Sequence, residues 1–532
     1  MSRISKRIYD TFRHETDRPA VSINRHQSLY RDILNDAHAL HRALEKILFD
    51  RIAILGDRTR ASYAGVAYAL FSAKAFVPIN PFFPAMQNQK VMLLSECNVI
   101  LFDLESWKYI DALVTGFPNP LVLVLMNYGN LSSAVIETVC DRLKGTEHKL
   151  QIVRPEPDEN PLPLADSSEE QILYIMFTSG TTGVPKGVPV SHRNVEHYFS
   201  AILRLADLSS TDRFSQFFDL TFDLSMHDIL LTWLVGGCLC VPSRLDLVAP
   251  RKYIEKEGIT VWFSVPSAVA LMRQIGQLQP ESYPGIRYSF FCGEALPVNI
   301  ALAWQAAASR SRVINLYGPT EATIAFTSYE LTRDAPVASY PNGIVPLGRP
   351  FGENLALVVN ESGNPVKQVE QGDLCLAGPQ LTVGYLNNAK QNAESFFTRK
   401  DNQGREIRWY RTGDRASYDE DMGYVYYGRT DTQVKILGYR VEILEIESVL
   451  REVSGCTQVA AMPWPVIEGI VKGIVACVVK PAISSEEIIK GCKERLSFYK
   501  VPSEVHILDS MPLNVNGKTD RNALKTMLEG ML

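Results

Sequence analysis

Four short runs near the start of the chain are apolar almost from end to end, and this argues against a fold built on half-exposed strands. They are Arg51-Ile-Ala-Ile-Leu, Phe76-Val-Pro-Ile, Val99-Ile-Leu-Phe and Pro120-Leu-Val-Leu-Val-Leu. A strand with one wet face alternates apolar and polar residues; a continuous run belongs in a sheet covered on both faces. Segments with apolar residues at helical spacing, Leu29–Leu48 and Ala61–Ala73, lie between them, so the pattern predicts parallel sheets flanked by helices. The proline-rich stretch Pro155-Glu-Pro-Asp-Glu-Asn-Pro-Leu-Pro interrupts this order, which resumes from Gln171 to about Ile324. From Gly343 the texture changes to strands broken by glycine turns, as in Gly372-Asp-Leu-Cys-Leu-Ala-Gly, up to about Gly428. The last hundred residues read as a compact α+β unit with helices near Leu444–Val453 and Ser485–Leu496. The expected fold class is therefore α/β: a large N-terminal domain of two α/β subdomains plus a β-rich subdomain, then a small α+β C-terminal domain.

Composition narrows the function classes. The chain has 532 residues, 46% of them hydrophobic, enough for a large core. A net charge of -5 with both signs interspersed gives no reason to expect nucleic-acid binding. The nine cysteines contain no CxxC pair and read as reduced thiols in a cytoplasmic protein, with Cys238 and Cys240 packing as a strand would. The start, MSRISKRIYDTF, has cations without an apolar run behind them, so no secretory signal is expected. The longest apolar stretch, Ile229 to Val241, is too short to cross a bilayer, and no membrane association is expected. Neither HExxH nor GxSxG occurs, and the nine histidines are scattered, which argues against zinc-protease, serine-hydrolase and transition-metal chemistry.

Residues 174–188, Tyr-Ile-Met-Phe-Thr-Ser-Gly-Thr-Thr-Gly-Val-Pro-Lys-Gly-Val, carry the first chemical signal. An apolar strand runs directly into six residues drawn only from Thr, Ser and Gly. Glycine lets backbone N–H groups approach an anion, hydroxyls add donors, and Lys186 supplies a compact positive charge, so the segment suits a polyphosphate. It is not the GxxxxGK[ST] loop, because Pro185 and Gly187 stand where that pattern needs Gly and Ser or Thr. Other polar islands follow: Asn315-Leu-Tyr-Gly-Pro-Thr-Glu-Ala-Thr, Tyr410-Arg-Thr-Gly-Asp, Gly428-Arg-Thr-Asp-Thr-Gln-Val-Lys-Ile-Leu-Gly-Tyr-Arg-Val-Glu and Asn514-Val-Asn-Gly-Lys-Thr-Asp-Arg.

In this order the islands resemble the adenylate-forming superfamily, specifically stand-alone amino acid adenylation enzymes of the nonribosomal-peptide-synthetase type. The resemblance runs from Ala73-Lys-Ala-Phe-Val-Pro-Ile to Asn516-Gly-Lys518. It implies activation of a carboxylate with ATP and Mg2+ to an acyl adenylate, then transfer to a thiol, within a cytoplasmic pathway of secondary-metabolite or antibiotic biosynthesis. The implied domains are an AMP-binding core at 1–427, a hinge at 428–432 and a mobile AMP-binding domain at 433–532. Thr178, Ser179, Gly180, Thr181, Thr182, Gly183 and Lys186 are implied to cradle the β- and γ-phosphates. Tyr317 is expected against adenine, Thr320 near the α-phosphate, Glu321 on Mg2+, and Asp414 with Arg429 at the ribose. Lys518 is implied to bridge the substrate carboxylate and the α-phosphate, and Asp431 to serve as the hinge that carries Lys518 away for thiol transfer.

The resemblance also bears on the acid. In Thr221-Phe-Asp-Leu-Ser-Met-His-Asp, Asp223 stands where amino-acid-activating members pair a carboxylate with the substrate ammonium. The rest of the implied pocket is Leu224, His227, Ser267, Phe290, Cys292, Leu316, Ile324 and Ala325. Phe290 and Leu316 limit its volume, so a small apolar amino acid is expected. Phe291-Cys-Gly-Glu-Ala-Leu-Pro is similar to D-alanine:carrier-protein ligases, and free-standing L-proline:carrier-protein ligases are a second resemblance. With 14 residues after Lys518 and no serine-bearing carrier segment, the expected acceptor is a separate phosphopantetheinylated carrier protein. The alternative is an acyl-CoA synthetase or another carboxylic acid:thiol ligase of the same superfamily.

Overall fold

The computed structural model describes residues 2–129, 136, 137, 141, 143–156, 162–180, 184–332, 340–401, 403–513 and 519–531. The continuous apolar runs become strands Arg51–Leu55, Ala75–Ile79, Val99–Asp103 and Val122–Met126, with Ala75–Ile79 and Val99–Asp103 buried at every position. They join a seven-stranded sheet in the spatial order Lys149–Val153, Val122–Met126, Val99–Asp103, Arg51–Leu55, Ala75–Ile79, Ile172–Thr178 and Lys186–Ser191. The first six of these pair in parallel, as strands covered on both faces do. The intervening helices start where the sequence caps them: Thr59 and Ser191 close reciprocal boxes with Ser62 and Asn194 at the heads of Arg60–Phe71 and His192–Leu205.

A second, nine-stranded sheet positions most of the candidate residues. Its central strands Tyr288–Phe291, Val261–Ser264, Arg213–Ser215 and Cys238–Val241 run parallel, as does Arg312–Tyr317 beside Tyr288–Phe291. Thr327–Glu330 then returns antiparallel to Arg312–Tyr317. Open parallel sheets bind ligands beyond the carboxyl ends of their strands, and Ser267, Cys292 and Tyr317 lie at or just past three such ends. The β-rich stretch forms a five-stranded antiparallel sheet built on Glu406–Asp419, with Leu355–Val359, Gly372–Ala377, Phe396–Lys400 and Gly423–Arg429. The fold is the expected mixed α/β architecture.

The chain divides into two compact units. The first comprises Met1–Pro81, Val91–Phe177 and Gly187–Thr430; the second comprises Phe82–Lys90, Thr178–Lys186 and Asp431–Leu532. The second unit thus takes in two short segments from far earlier in the sequence. Its own core joins helix Ile443–Ser454 to a three-stranded sheet of Val459–Pro463, Ile474–Val479 and Glu504–Leu508. Helix Ser485–Lys493 ends three residues before the Leu496 expected from sequence. Among the described residues the cysteines are free thiols, and Cys238 and Cys240 are buried in strand Cys238–Val241; Cys140 lies outside the described residues. No helix among the described residues is long and apolar enough to cross a membrane.

Candidate active site

Asp223 stands at the N-terminal boundary of helix Leu224–Val235, only 5% exposed, and its side chain makes no capping hydrogen bond to that helix. Its charge acts on the phenols of Tyr174 and Tyr198, and Tyr198 also feels Cys292 and Asp228. Burial first, and these neighbouring acidic groups second, hold the Tyr198 phenol well above its ordinary range. Leu224, Phe290, Cys292, Leu316, Ile324 and Ala325 are all buried and belong to the large apolar core of the first unit.

His227 and Ser267 are less free than the sequence suggests. His227 is fully buried, with Nδ1 2.6 Å from the Tyr198 hydroxyl and its ring 4.3 Å and 5.1 Å from those of Phe263 and Phe290. Burial pushes its pKa down to about 3, so the imidazole is neutral. The Ser267 hydroxyl and backbone N–H both donate to Glu294, at 3.0 and 2.9 Å. Glu294 thereby caps helix Pro266–Gln274, a favourable place for a carboxylate.

A second constellation follows from Arg312–Tyr317. Tyr317 donates its hydroxyl to Asp414 at 2.6 Å, and Arg429 donates to the other Asp414 oxygen at 2.6 Å. Arg429 also reaches the Thr412 carbonyl at 3.2 Å, while the Thr412 hydroxyl accepts the Asp414 N–H at 3.0 Å. Asp414 is 7% exposed and fixed from both sides, yet each oxygen keeps a lone pair for a further donor. Thr320 and Glu321 sit on the 3-10 turn Thr320–Ala322, and Glu321 is fully buried. Its Oε1 accepts the Tyr385 hydroxyl at 2.6 Å, with the Tyr410 hydroxyl 3.4 Å beyond.

In the second unit, Ser179 donates its hydroxyl to the Arg440 carbonyl at 2.7 Å. The Thr178 Oγ1 is buried and has no hydrogen-bond partner among the described residues. A Cβ on Gly180 would lie 2.1 Å from the Val184 carbonyl oxygen, so only glycine fits there. Lys186, 8% exposed, lowers the pKa of Glu442, which burial raises more strongly. Thr181, Thr182, Gly183 and Lys518 lie outside the described residues.

Comparison with known proteins decides what this combination is. Residues 9–386 match the family model described as AMP-binding enzyme, and residues 445–518 match the AMP-binding enzyme C-terminal domain. The chain belongs to the AMP-binding enzyme family. As a member it is an ATP-dependent, AMP-forming ligase. It is 34% identical over 361 residues to the D-alanine–D-alanyl carrier protein ligase of Lacticaseibacillus casei, covering 66% of this chain and 70% of that one. It is 31% identical over 375 residues to the L-proline–[L-prolyl-carrier protein] ligase of Pseudomonas fluorescens, covering 69% and 71%. A match to the delta-poly-L-ornithine synthetase of Acinetobacter baumannii, 32% identical, covers 72% of this chain but 28% of that protein. Among solved structures, the Vibrio cholerae adenylation domain AlmE in complex with glycyl-adenosine-5'-phosphate aligns with a TM-score of 0.89 at 30% identity, covering 100% of this chain and 98% of AlmE.

The residues fit the family's ligands. An orphaned buried hydroxyl at Thr178 and a glycine that tolerates no side chain suit a loop that wraps phosphate oxygens. No group of three or more His, Cys, Asp or Glu that could hold a metal occurs among the described residues. A single oriented carboxylate at Glu321 is nonetheless what Mg2+ asks for, since that ion takes one or two carboxylates and completes its shell with phosphate and water. Sequence reasoning missed Tyr385, Tyr198, Thr412 and Glu294, which hold Glu321, His227, Asp414 and Ser267. Thr412 and Glu294 lie inside islands already singled out, and Gly384-Tyr385 is another glycine–aromatic island, whereas nothing local marked Tyr198.

Proposed function

We propose that this enzyme activates a small amino acid, L-proline or D-alanine foremost, as its aminoacyl adenylate and then passes the acyl group to the phosphopantetheine thiol of a separate carrier protein. The observation that carries the reading is the carboxylate of Asp223, held at 5% exposure at the head of helix Leu224–Val235; in this reading the other walls of the amino acid pocket are the buried residues Leu224, Phe290, Cys292, Leu316, Ile324 and Ala325. A buried carboxylate among apolar and neutral groups is matched by a substrate ammonium and wasted on a fatty or aryl acid. The relatives named for D-alanine and L-proline, and the AlmE complex with a glycyl adenylate, agree with a small amino acid.

In this reading Asp223 takes the α-ammonium and turns the substrate carboxylate towards the α-phosphate of ATP. Asp414, preset by Arg429 and Tyr317, accepts the ribose hydroxyls. Thr178, Ser179, Gly180, Thr181, Thr182, Gly183 and Lys186 hold the outer phosphates, Thr320 the α-phosphate, and Lys518 the oxygens between which charge moves. Glu321 would hold Mg2+, which when bound would supply positive charge against the phosphates. Attack on phosphorus needs positioning and charge stabilisation more than covalent help, and these residue types supply both. Asp431, the first residue of the C-terminal segment of the second unit, is the hinge through which that segment exchanges adenylation for transfer.

The test is ATP–pyrophosphate exchange with all L- and D-amino acids, glycine and a few aryl and fatty acids. It is followed by loading of a phosphopantetheinylated carrier protein against coenzyme A. A strong signal from one small amino acid and transfer to the carrier are expected. Exchange only with acids lacking an amino group would move the protein to the acyl-CoA synthetases.

A further inference from the structure

Thr323 and Ile324 are consecutive β-branched residues in the left-handed region, with φ of 60° and 67°. Such residues rarely adopt this conformation, which persists only where the surroundings over-determine it. The turn they form follows Thr320 and Glu321 directly and contributes Ile324 and Ala325 to the acid pocket. Gly318 lets its two limbs close, because a Cβ there would meet the Ala325 Cα at 2.7 Å and the Phe326 nitrogen at 2.8 Å.

The group that over-determines the turn is the fully buried side chain of Gln380. Its Nε2 donates towards the carbonyls of Ala325 at 2.7 Å and of Ala322 and Thr323 at 3.3 Å each. Its Oε1 accepts from Asn354 Nδ2 at 2.6 Å, and its own carbonyl accepts the Thr323 hydroxyl at 2.6 Å. Gln380 and Asn354 also line a cavity of about 340 Å³. Two other groups from the same stretch hold the carboxylate half of the turn: Thr382 N–H donates to the Glu321 carbonyl at 2.9 Å, and Tyr385 to its side chain.

We propose that Gln380 is a positioning residue for substrate selection: its amide clamps the strained Thr323–Ile324 turn so that Ile324 and Ala325 stand at a fixed depth in the amino acid pocket, while Tyr385 separately orients Glu321. The chemistry needs an amide at this position. Three carbonyl oxygens converge on one NH2 group, and neither a carboxylate nor a thioether can donate to them. The inference rests on the pocket reading above.

The test compares wild type, Gln380→Met, Gln380→Glu and Tyr385→Phe in ATP–pyrophosphate exchange with whichever acid the wild type turns over best and with its next larger homologue. Gln380→Met and Gln380→Glu are expected to raise KM for the preferred acid at least about tenfold. Their discrimination against the larger acid should shrink by a similar factor, with KM for ATP within about threefold of wild type. Tyr385→Phe should instead lower kcat and leave that discrimination intact. Unchanged discrimination in folded Gln380 variants, or equal rises in both KM values, would overturn the proposal. If neither Gln380 variant folds, Asn354→Ala removes only the anchor of Oε1 and should shift discrimination in the same direction by about threefold; no shift there refutes it. A wild type that turns over no amino acid refutes the functional reading, and the same comparison is then made with the acid it does accept.

Discussion

Replacing Asp223 with asparagine removes one negative charge and preserves the shape of the side chain. The carboxylate is 5% exposed, so its attraction for a substrate ammonium acts through protein rather than water. Truncating one partner of a buried, hydrogen-bonded charge pair costs about 2–5 kcal/mol. At about 1.4 kcal/mol per decade this lowers kcat/KM for the amino acid by roughly 30- to 5,000-fold. The loss should appear only where the ammonium is present. ATP–pyrophosphate exchange is therefore measured with the preferred amino acid and its des-amino analogue, for both enzymes. Wild type should prefer the amino acid, the variant should lose nearly all of that preference, and KM for ATP should stay within about threefold. Because asparagine is isosteric and leaves the apolar walls intact, Tm should move by no more than about 3 °C. A folded Asp223→Asn enzyme that keeps its preference for the amino acid within threefold would refute the charge-pairing argument.

Lys518→Ala should reduce pyrophosphate exchange by about 10²–10³, as loss of one charge-stabilising donor does, while transfer from a supplied aminoacyl adenylate survives. Asp431→Pro, whose side chain now accepts the Gln433 N–H at 3.1 Å, should spare exchange and suppress carrier loading in a radiolabel assay, because proline fixes the φ that a hinge must change. Arg429→Met should raise KM for ATP without moving KM for the amino acid, since Asp414 then loses the guanidinium that presets it; equal effects on both would remove it from the nucleotide side. Burial lowers His227 to about 3 and His192 to about 4, against about 6.5 in the unfolded chain. Below pH 6.5 the unfolded state then binds more protons, so stability falls as pH falls, by about 2 kcal/mol per histidine at pH 5. Urea unfolding at pH 7.5 and 5 checks this, and His192→Asn should remove about one proton from the slope.

Much of the architecture was legible because it is written locally. Runs such as Val99-Ile-Leu-Phe specify a strand buried on both faces, and Thr59 and Ser191 mark helix starts through side chains that satisfy the first free N–H groups. The candidate site was legible only as islands of residues that a core would not choose. What joins the islands was hidden, because it depends on approach between distant segments. Nothing near Thr323 and Ile324 announces a left-handed turn, and two β-branched residues argue against one; Gln380, more than fifty positions later, is what makes it tolerable. Tyr385 and Glu321 meet across a similar gap. Local propensity cannot report a conformation that tertiary hydrogen bonds impose.

Three of the buried carboxylates, Asp414, Glu321 and Asp223, belong to the candidate site, and their neighbours divide the labour among them. Asp414 lies between a guanidinium and a phenol, which hold it in one orientation, and it suits neutral hydroxyl donors that need direction more than charge. Glu321 is oriented by the neutral phenol of Tyr385, which fixes the carboxylate without cancelling its charge, and that suits a hard divalent cation arriving with phosphates. Asp223 acts on the phenols of Tyr174 and Tyr198, which burial and its charge keep neutral, so those phenols bring it no positive charge. The three groups share one functional chemistry, and their ligands differ because each is buried in different company. The same logic explains why the chain invests in a clamp such as Gln380. Charge recognises that an amino acid is present, whereas only the depth of an apolar wall distinguishes one small side chain from the next, and each methylene is worth about 1–3 kcal/mol in such a pocket. A wall that drifts by the length of one bond forfeits that difference, so a strained turn held at three carbonyls is a rational place to store selectivity.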